Sequence, residues 1–169
     1  MSEPTIRLVY DMWPQYHRRL RDVIAAMSPE QLAIRPSPDG WPIWATVGHT
    51  AGMRVYWLCD VIGEEGAATT PFTDAANSGW EDDLDHPRTA GELVEALDST
   101  WALVDRCLGR WTVDMLAHEF RRSYGGTDQV HTRGSILQRM LTHDAYHCGE
   151  LSQTLGIHGL PQIDLWAAG

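Results

Sequence analysis

The chain has 169 residues, 13 basic and 23 acidic, giving a formal net charge of −10 with its eight histidines neutral. Every basic residue is arginine, which removes lysine Schiff-base chemistry and a P-loop lysine from consideration. An acidic chain with no basic tract is also a poor partner for nucleic acid or an anionic membrane surface, whose affinity comes from neutralised phosphates.

Apolar periodicity is helical wherever it is strong, and the length is that of a single domain covering 1–169. Val9, Trp13, Tyr16, Leu20, Val23 and Met27 recur at steps of three and four, the stripe of a first helix that starts or kinks at Pro14. Ser28-Pro29-Glu30-Gln31 reads as an N-cap for a short turn, and the Pro- and Gly-dense stretch Arg35–Pro42 as a loop. A second helix is expected from about Ile43 to Glu65. Between Gly63 and Arg88 lies a long connection, with Phe72 and Trp80 as isolated anchors, of the kind that forms a crossover or a lid. Thr89-Ala-Gly-Glu92 matches a capping box and opens a third helix to about Leu108. Gly109–His131 is ambiguous, interrupted by Tyr124-Gly-Gly-Thr127, and a last helix runs from near Thr132 to Gly156, read as its left-handed cap. The sum is an all-α four-helix bundle with a long crossover and no convincing strand pattern.

No stretch approaches 18 uninterrupted apolar residues, and Glu3 and Arg7 interrupt the start of the chain. Cys59, Cys107 and Cys148 are odd in number and never form C-x-x-C. A cytoplasmic chain with reduced thiols is the expectation. Eight Trp against two Phe hint at a cavity.

Chemistry concentrates in His143-Asp-Ala-Tyr-His147-Cys-Gly-Glu150. Residues four apart on a helix lie about 40° apart, so His143 and His147 point the same way and can share one ion, and Glu150 returns to nearly the same angle. Imidazoles suit Zn, Ni, Cu or Fe, whereas Ca and Mg want oxygens. Two histidines bind weakly, and His49 is the candidate third ligand. By spacing alone His143 and His147 read equally well as ligands or as hydrogen-bonded histidines beside the core, and His49 reads more readily as the latter. Asp60 shares the strip of His49 but lies 11 residues on, about 16 Å along the axis, too far for the same ion.

The tail from His143 to Gly156, followed by His158-Gly-Leu-Pro161 and Ile163-Asp-Leu-Trp166, resembles the C-terminal signature of the DinB-like family, four-helix-bundle proteins named for a damage-inducible gene. Arg35-Pro-Ser-Pro-Asp-Gly-Trp41-Pro-Ile-Trp44-Ala-Thr-Val-Gly-His49 resembles that family's proline-rich loop, whose tryptophan leads into the second helix and its first metal-binding histidine. The resemblance implies a metal site of His49, His143 and His147 with water in the remaining positions, occupied by Ni, Zn or Fe, in a protein that is commonly a homodimer. It also implies a small-molecule substrate, with relatives that are S-transferases or isomerases using low-molecular-weight thiols, or metal-dependent hydrolases. A dication held by neutral ligands keeps its full charge and lowers the pKa of a bound water or thiol. Those ligands alone do not distinguish thiol transfer from hydrolysis, and a non-catalytic metal-binding or stress-response module is the alternative.

Rival motifs fail. His118-Glu-Phe-Arg-Arg122 has Arg where a zincin needs its second His, no Glu-x-x-His pair supports a di-iron bundle, and Gly-x-Ser-x-Gly is absent. Glu150 is the candidate catalytic residue, as general base or as orienter of a ligand, against a merely solvated carboxylate. Cys148 points about 100° from His147 and reads as a packed thiol. Asp144 is expected to face out, Tyr56 and Trp57 to wall a pocket or pack in the core, Trp41 and Trp44 to seat the loop, and Glu81–Asp85 to be solvated surface.

Overall fold

In the computed structural model, residues 3–73 and 79–165 are described. Trp166, the last residue of the tail signature, lies outside them. Helix α1 spans Trp13–Ala25 with Pro14 in its first turn, where a missing N–H costs nothing. It therefore starts at the proline, without a kink. The preceding residues Ile6–Tyr10 form a 3₁₀ turn, held by Ile6 N–H donating to Trp111 O at 2.9 Å. Val9 is consequently exposed, and the buried stripe of α1 is Trp13, His17, Leu20 and Ile24. The stripe anticipated from Val9 and Tyr16 is rotated from this one, because a histidine occupies a core position.

The short helix α2, Pro29–Leu32, is closed by the expected reciprocal cap between Ser28 and Gln31. Helix α3 covers Ile43–Val55 and continues without a break into six residues of π-helix, Tyr56–Val61. The crossover carries two single 3₁₀ turns, Ala67–Thr69 and Trp80–Asp82. Helix α4, Ala90–Leu108, opens with the Thr89/Glu92 capping box. Helix α5, Arg133–Ile157, is capped by Thr132 and Ser135. The left-handed residue beyond it is Gly159, at φ 68°, and not Gly156. Gly156 lies within α5, and a Cβ there would stand 2.2 Å from the Gln162 side chain.

Two strands occupy the ambiguous stretch: β1, Glu119–Tyr124, pairs antiparallel with β2, Thr127–Thr132. Gly125 and Gly126 make the connection with φ of 57° and 76°, the positive values that a two-residue hairpin turn demands at both central positions. The inward residues of this hairpin are Phe120, Arg122, Gln129 and His131, mostly polar, so the apolar alternation that marks a strand is missing. The fold remains an α-bundle with this hairpin added to one end: α4 packs on α1 and α3, α3 packs on α5, and β2 leads directly into α5.

The core divides into two apolar clusters. One holds Leu20, Ile24, Trp44, Val47, Leu97 and Leu151; the other holds Trp13, Trp57, Leu103, Trp111, Ile136 and Met140. Between them each long helix supplies a buried polar side chain: His17 from α1, Arg54 from α3, Thr100 from α4 and Asp144 from α5. Arg54 donates to Asp144 Oδ2 at 2.8 Å, and the same oxygen accepts from Trp13 Nε1 at 2.9 Å. Asp144 thus faces inward, contrary to its expected outward position, because it is the counterion of a guanidinium that would otherwise be buried alone.

Candidate metal centre

His49 lies on the regular part of α3, and His143 and His147 lie one turn apart on α5, so the packing of α3 on α5 brings the three rings together. His143 Nε2 is 3.0 Å from His49 Nε2 and 3.1 Å from His147 Nε2. The three candidate ligand atoms all lie within 4.8 Å of one another. Nitrogens that share one ion at about 2.0–2.1 Å take similar mutual separations.

The opposite edges of two rings are held by carboxylates. His147 Nδ1 is 2.6 Å from Glu150 Oε2, and His49 Nδ1 is hydrogen-bonded to Glu81. A carboxylate accepts, so these Nδ1 atoms carry the protons and their Nε2 atoms present lone pairs to the cluster. The bare lone pairs of His49 and His147 therefore flank His143 Nε2 at 3.0 and 3.1 Å, so the three Nε2 atoms face one point that a single ion fits. Burial first, and then the neighbouring His147 and His49, push the His143 imidazole down to about 3. Burial also lowers His147, against the opposing pull of Glu150. His143 and His147 are thereby held neutral and ligand-ready at pH 7.

Glu81 comes from the 3₁₀ turn of the crossover, within a run read from sequence as solvated surface. Its side chain is only 12% exposed, and Oε2 is buried with no hydrogen-bond partner. The turn reaches His49 because α3 is flat where it passes: Gly48 faces Trp80 and Gly52 faces Phe72, and a Cβ on either would stand 3.0–3.2 Å from those rings. Trp44 is buried in the core, while Trp41, 38% exposed, tilts over the His49 ring at 5.0 Å between centroids. Glu150 is close to the cluster as expected, and half-exposed. Cys148 packs in the core, its thiol pushed up to about 12 by burial.

A cavity of about 650 Å³ opens beside the cluster, with His49 and His143 in its wall. The π-helical turns contribute Tyr56, Trp57 and Asp60, the hairpin contributes Arg122 and Tyr124, and α5 adds Arg139. Asp60 shares the cavity without joining the cluster, and burial raises its carboxyl. Neither Arg122 nor Glu81 carried a sequence signal, since each is brought to the site by a hairpin or a crossover turn; Arg139 lies one turn before His143 on α5 and was not singled out.

An α-bundle with a histidine cluster between two of its helices defines the class; the comparisons supply the family. The profile of the DinB superfamily matches residues 14–151, and the chain belongs to that superfamily. No protein of curated function matches it. Among solved structures it is similar to a DinB-like protein from Bacillus cereus ATCC 10987, with a TM-score of 0.66 at 16% identity, over 96% of this chain and 98% of that one. That likeness is one of fold. No helix among the described residues is long and apolar enough to cross a membrane.

Proposed function

We propose that His49, His143 and His147 hold one divalent transition metal, Ni, Zn or Fe, and that the protein is a metal-dependent enzyme of the small-thiol S-transferase or hydrolase type. The observation that carries the reading is the convergence of three Nε2 atoms whose rings are turned to the site by Glu81 and Glu150. Carboxylates that grip the far nitrogen of a ligating histidine fix its tautomer and raise its basicity. When bound, the dication supplies Lewis-acid charge that brings the pKa of a coordinated water or thiol toward neutrality.

The rest falls to the protein's own groups. Glu81 and Glu150 act as positioning residues, holding the Nδ1 protons of His49 and His147. Glu150, half-exposed at the rim, is also placed to exchange a proton with solvent. Trp41 shields one side of His49, and the cavity gives a small molecule access to the other. The open approach favours catalysis over a purely structural ion, which is kept closed to solvent.

Elemental analysis of protein purified without a polyhistidine tag tests the site. One equivalent of metal is expected in the wild type, falling at least tenfold in His49→Ala with the helical circular dichroism retained; unchanged metal content in that variant overturns the site. Metal-loaded protein is then assayed with small thiols plus electrophiles, and with esters and amides. Thiol-dependent turnover lost in His143→Ala supports transfer, and thiol-independent turnover supports hydrolysis.

A further inference from the structure

Two arginines in the cavity have no acidic partner among the described residues. Arg122 gives its Nε and both terminal nitrogens to neutral acceptors: Gln129 Oε1 takes two of these bonds, at 3.0 and 2.8 Å, and the Tyr56 hydroxyl takes the third. Its guanidinium also lies over the Trp57 ring at 4.5 Å, and that of Arg139 lies over the same ring at 5.1 Å. No carboxylate among the described residues comes within 4.0 Å of either. In a chain carrying ten more acidic than basic side chains, two cations converge on one indole in a cavity with no ion pair to any described carboxylate. Arg122 is also immobilised. Three of its five N–H donors are spent on fixing its plane, so its charge is oriented without being neutralised.

These charges are set at a defined distance from the histidines. Arg139 precedes His143 by four residues on α5, one turn and about 6 Å of rise on nearly the same face. A molecule of a few carbons spans that interval.

We propose that Arg122 and Arg139 form the anchor for a carboxylate, and that the cavity takes a small organic acid whose acid group sits on the two guanidiniums while its reacting end meets the three histidines. The proposal rests on the metal reading only for the placement of the reacting end. Trp57 and Tyr124 supply the apolar wall along the spacer, and a fixed planar fork matches the two oxygens of a carboxylate.

The test compares 3-mercaptopropionate with its neutral counterpart 3-mercaptopropionamide by titration calorimetry, on wild type, Arg122→Gln and Arg139→Gln, at low and high salt. Metal content and circular dichroism are measured on each sample. The acid is expected to bind wild type at least tenfold more tightly than the amide, an advantage that shrinks with salt and is lost in Arg122→Gln and reduced several-fold in Arg139→Gln, with metal content unchanged. Because Arg122 also braces the hairpin, the exposed Arg139 provides the variant that leaves the fold intact. Equal binding of acid and amide, binding of neither, or an acid preference that survives both substitutions overturns the carboxylate anchor. Absence of metal from the wild type overturns the three-histidine reading instead. The acid-to-amide ratio is then measured on the metal-free protein with butyrate and butyramide, where the same arginine dependence is required.

Discussion

Replacing Asp144 by Ala removes the one carboxylate among the described residues that touches the Arg54 guanidinium. Arg54 is 1% exposed, and its other contacts are weak: 3.5 Å to His17 Nδ1, 3.4 Å to Leu97 O and 3.5 Å to Thr100 Oγ1. Breaking a buried pair from one side leaves an uncompensated charge and costs about 3–5 kcal/mol. The orphaned Trp13 Nε1–H belongs to the same network and adds to the cost less than its separate value. Against a total stability of about 5–15 kcal/mol, the loss is large, and a domain of this size should melt roughly 10 °C lower. Arg54→Met with Asp144→Leu removes both charges and restores packing, so the double variant is expected within about 2 kcal/mol of wild type. Urea unfolding followed by tryptophan fluorescence measures wild type, Asp144→Ala, the single variants Arg54→Met and Asp144→Leu, and the double variant. A cost below about 1 kcal/mol for Asp144→Ala, or a double variant no more stable than the worse single one, would refute the argument that charge burial dominates this layer.

Acid should destabilise the protein through His17, whose imidazole is held down to about 3, by burial first and by Arg54 next. The unfolded chain then binds the proton between pH 6.5 and 3, so stability is full above about 6.5 and falls as pH drops, by about 2 kcal/mol near pH 5 for this group; His17→Gln should flatten that part of the pH profile in denaturant titrations, and an unchanged slope would exclude the group. Glu81→Gln keeps the shape of the side chain and removes the charge behind His49, and metal affinity measured by competition with a chelator should fall about 10- to 100-fold. Gly48→Ala places a methyl 3.0 Å from Trp80; a loss of about 1–3 kcal/mol is expected in chemical unfolding, together with weaker metal binding, because the same turn carries Glu81. Cys107 and Cys148, both pushed up to about 12 by burial, should resist a disulfide reagent at pH 8 in the native protein and react fully in denaturant.

Much of the architecture was legible because helix caps and apolar spacing act locally. Ser28, Thr89 and Pro14 each mark a helix start where the structure has one. The pair His143/His147 was legible for the same reason, since a spacing of four on a helix places two rings together whatever surrounds them. His49 needed more than spacing, because its relation to α5 is set by packing between helices. Glu81 was hidden by its neighbours: in an acidic run nothing local marks the one carboxylate that turns inward, and the glycines that admit it lie 33 and 29 residues earlier on α3. Asp144 was misplaced because solvent was assumed as the partner of a charged side chain whose actual partner is ninety residues away. The hairpin escaped because its inward face is lined for the cavity and not for the core, although Gly125-Gly126 between two short segments was the available cue.

The π-helical turns after Val55 hold about one residue more than α-geometry would, and each residue of register on an α-helix is worth about 100° of rotation. His49 lies upstream of that slack, whereas Tyr56, Trp57 and Asp60 lie within it. Gain or loss of a single residue there would re-aim the cavity wall while leaving the histidines where they are. The histidine-bearing and the cavity-lining halves of one continuous helix are thus separable, so the shape of the cavity can change while the three histidines stay in register.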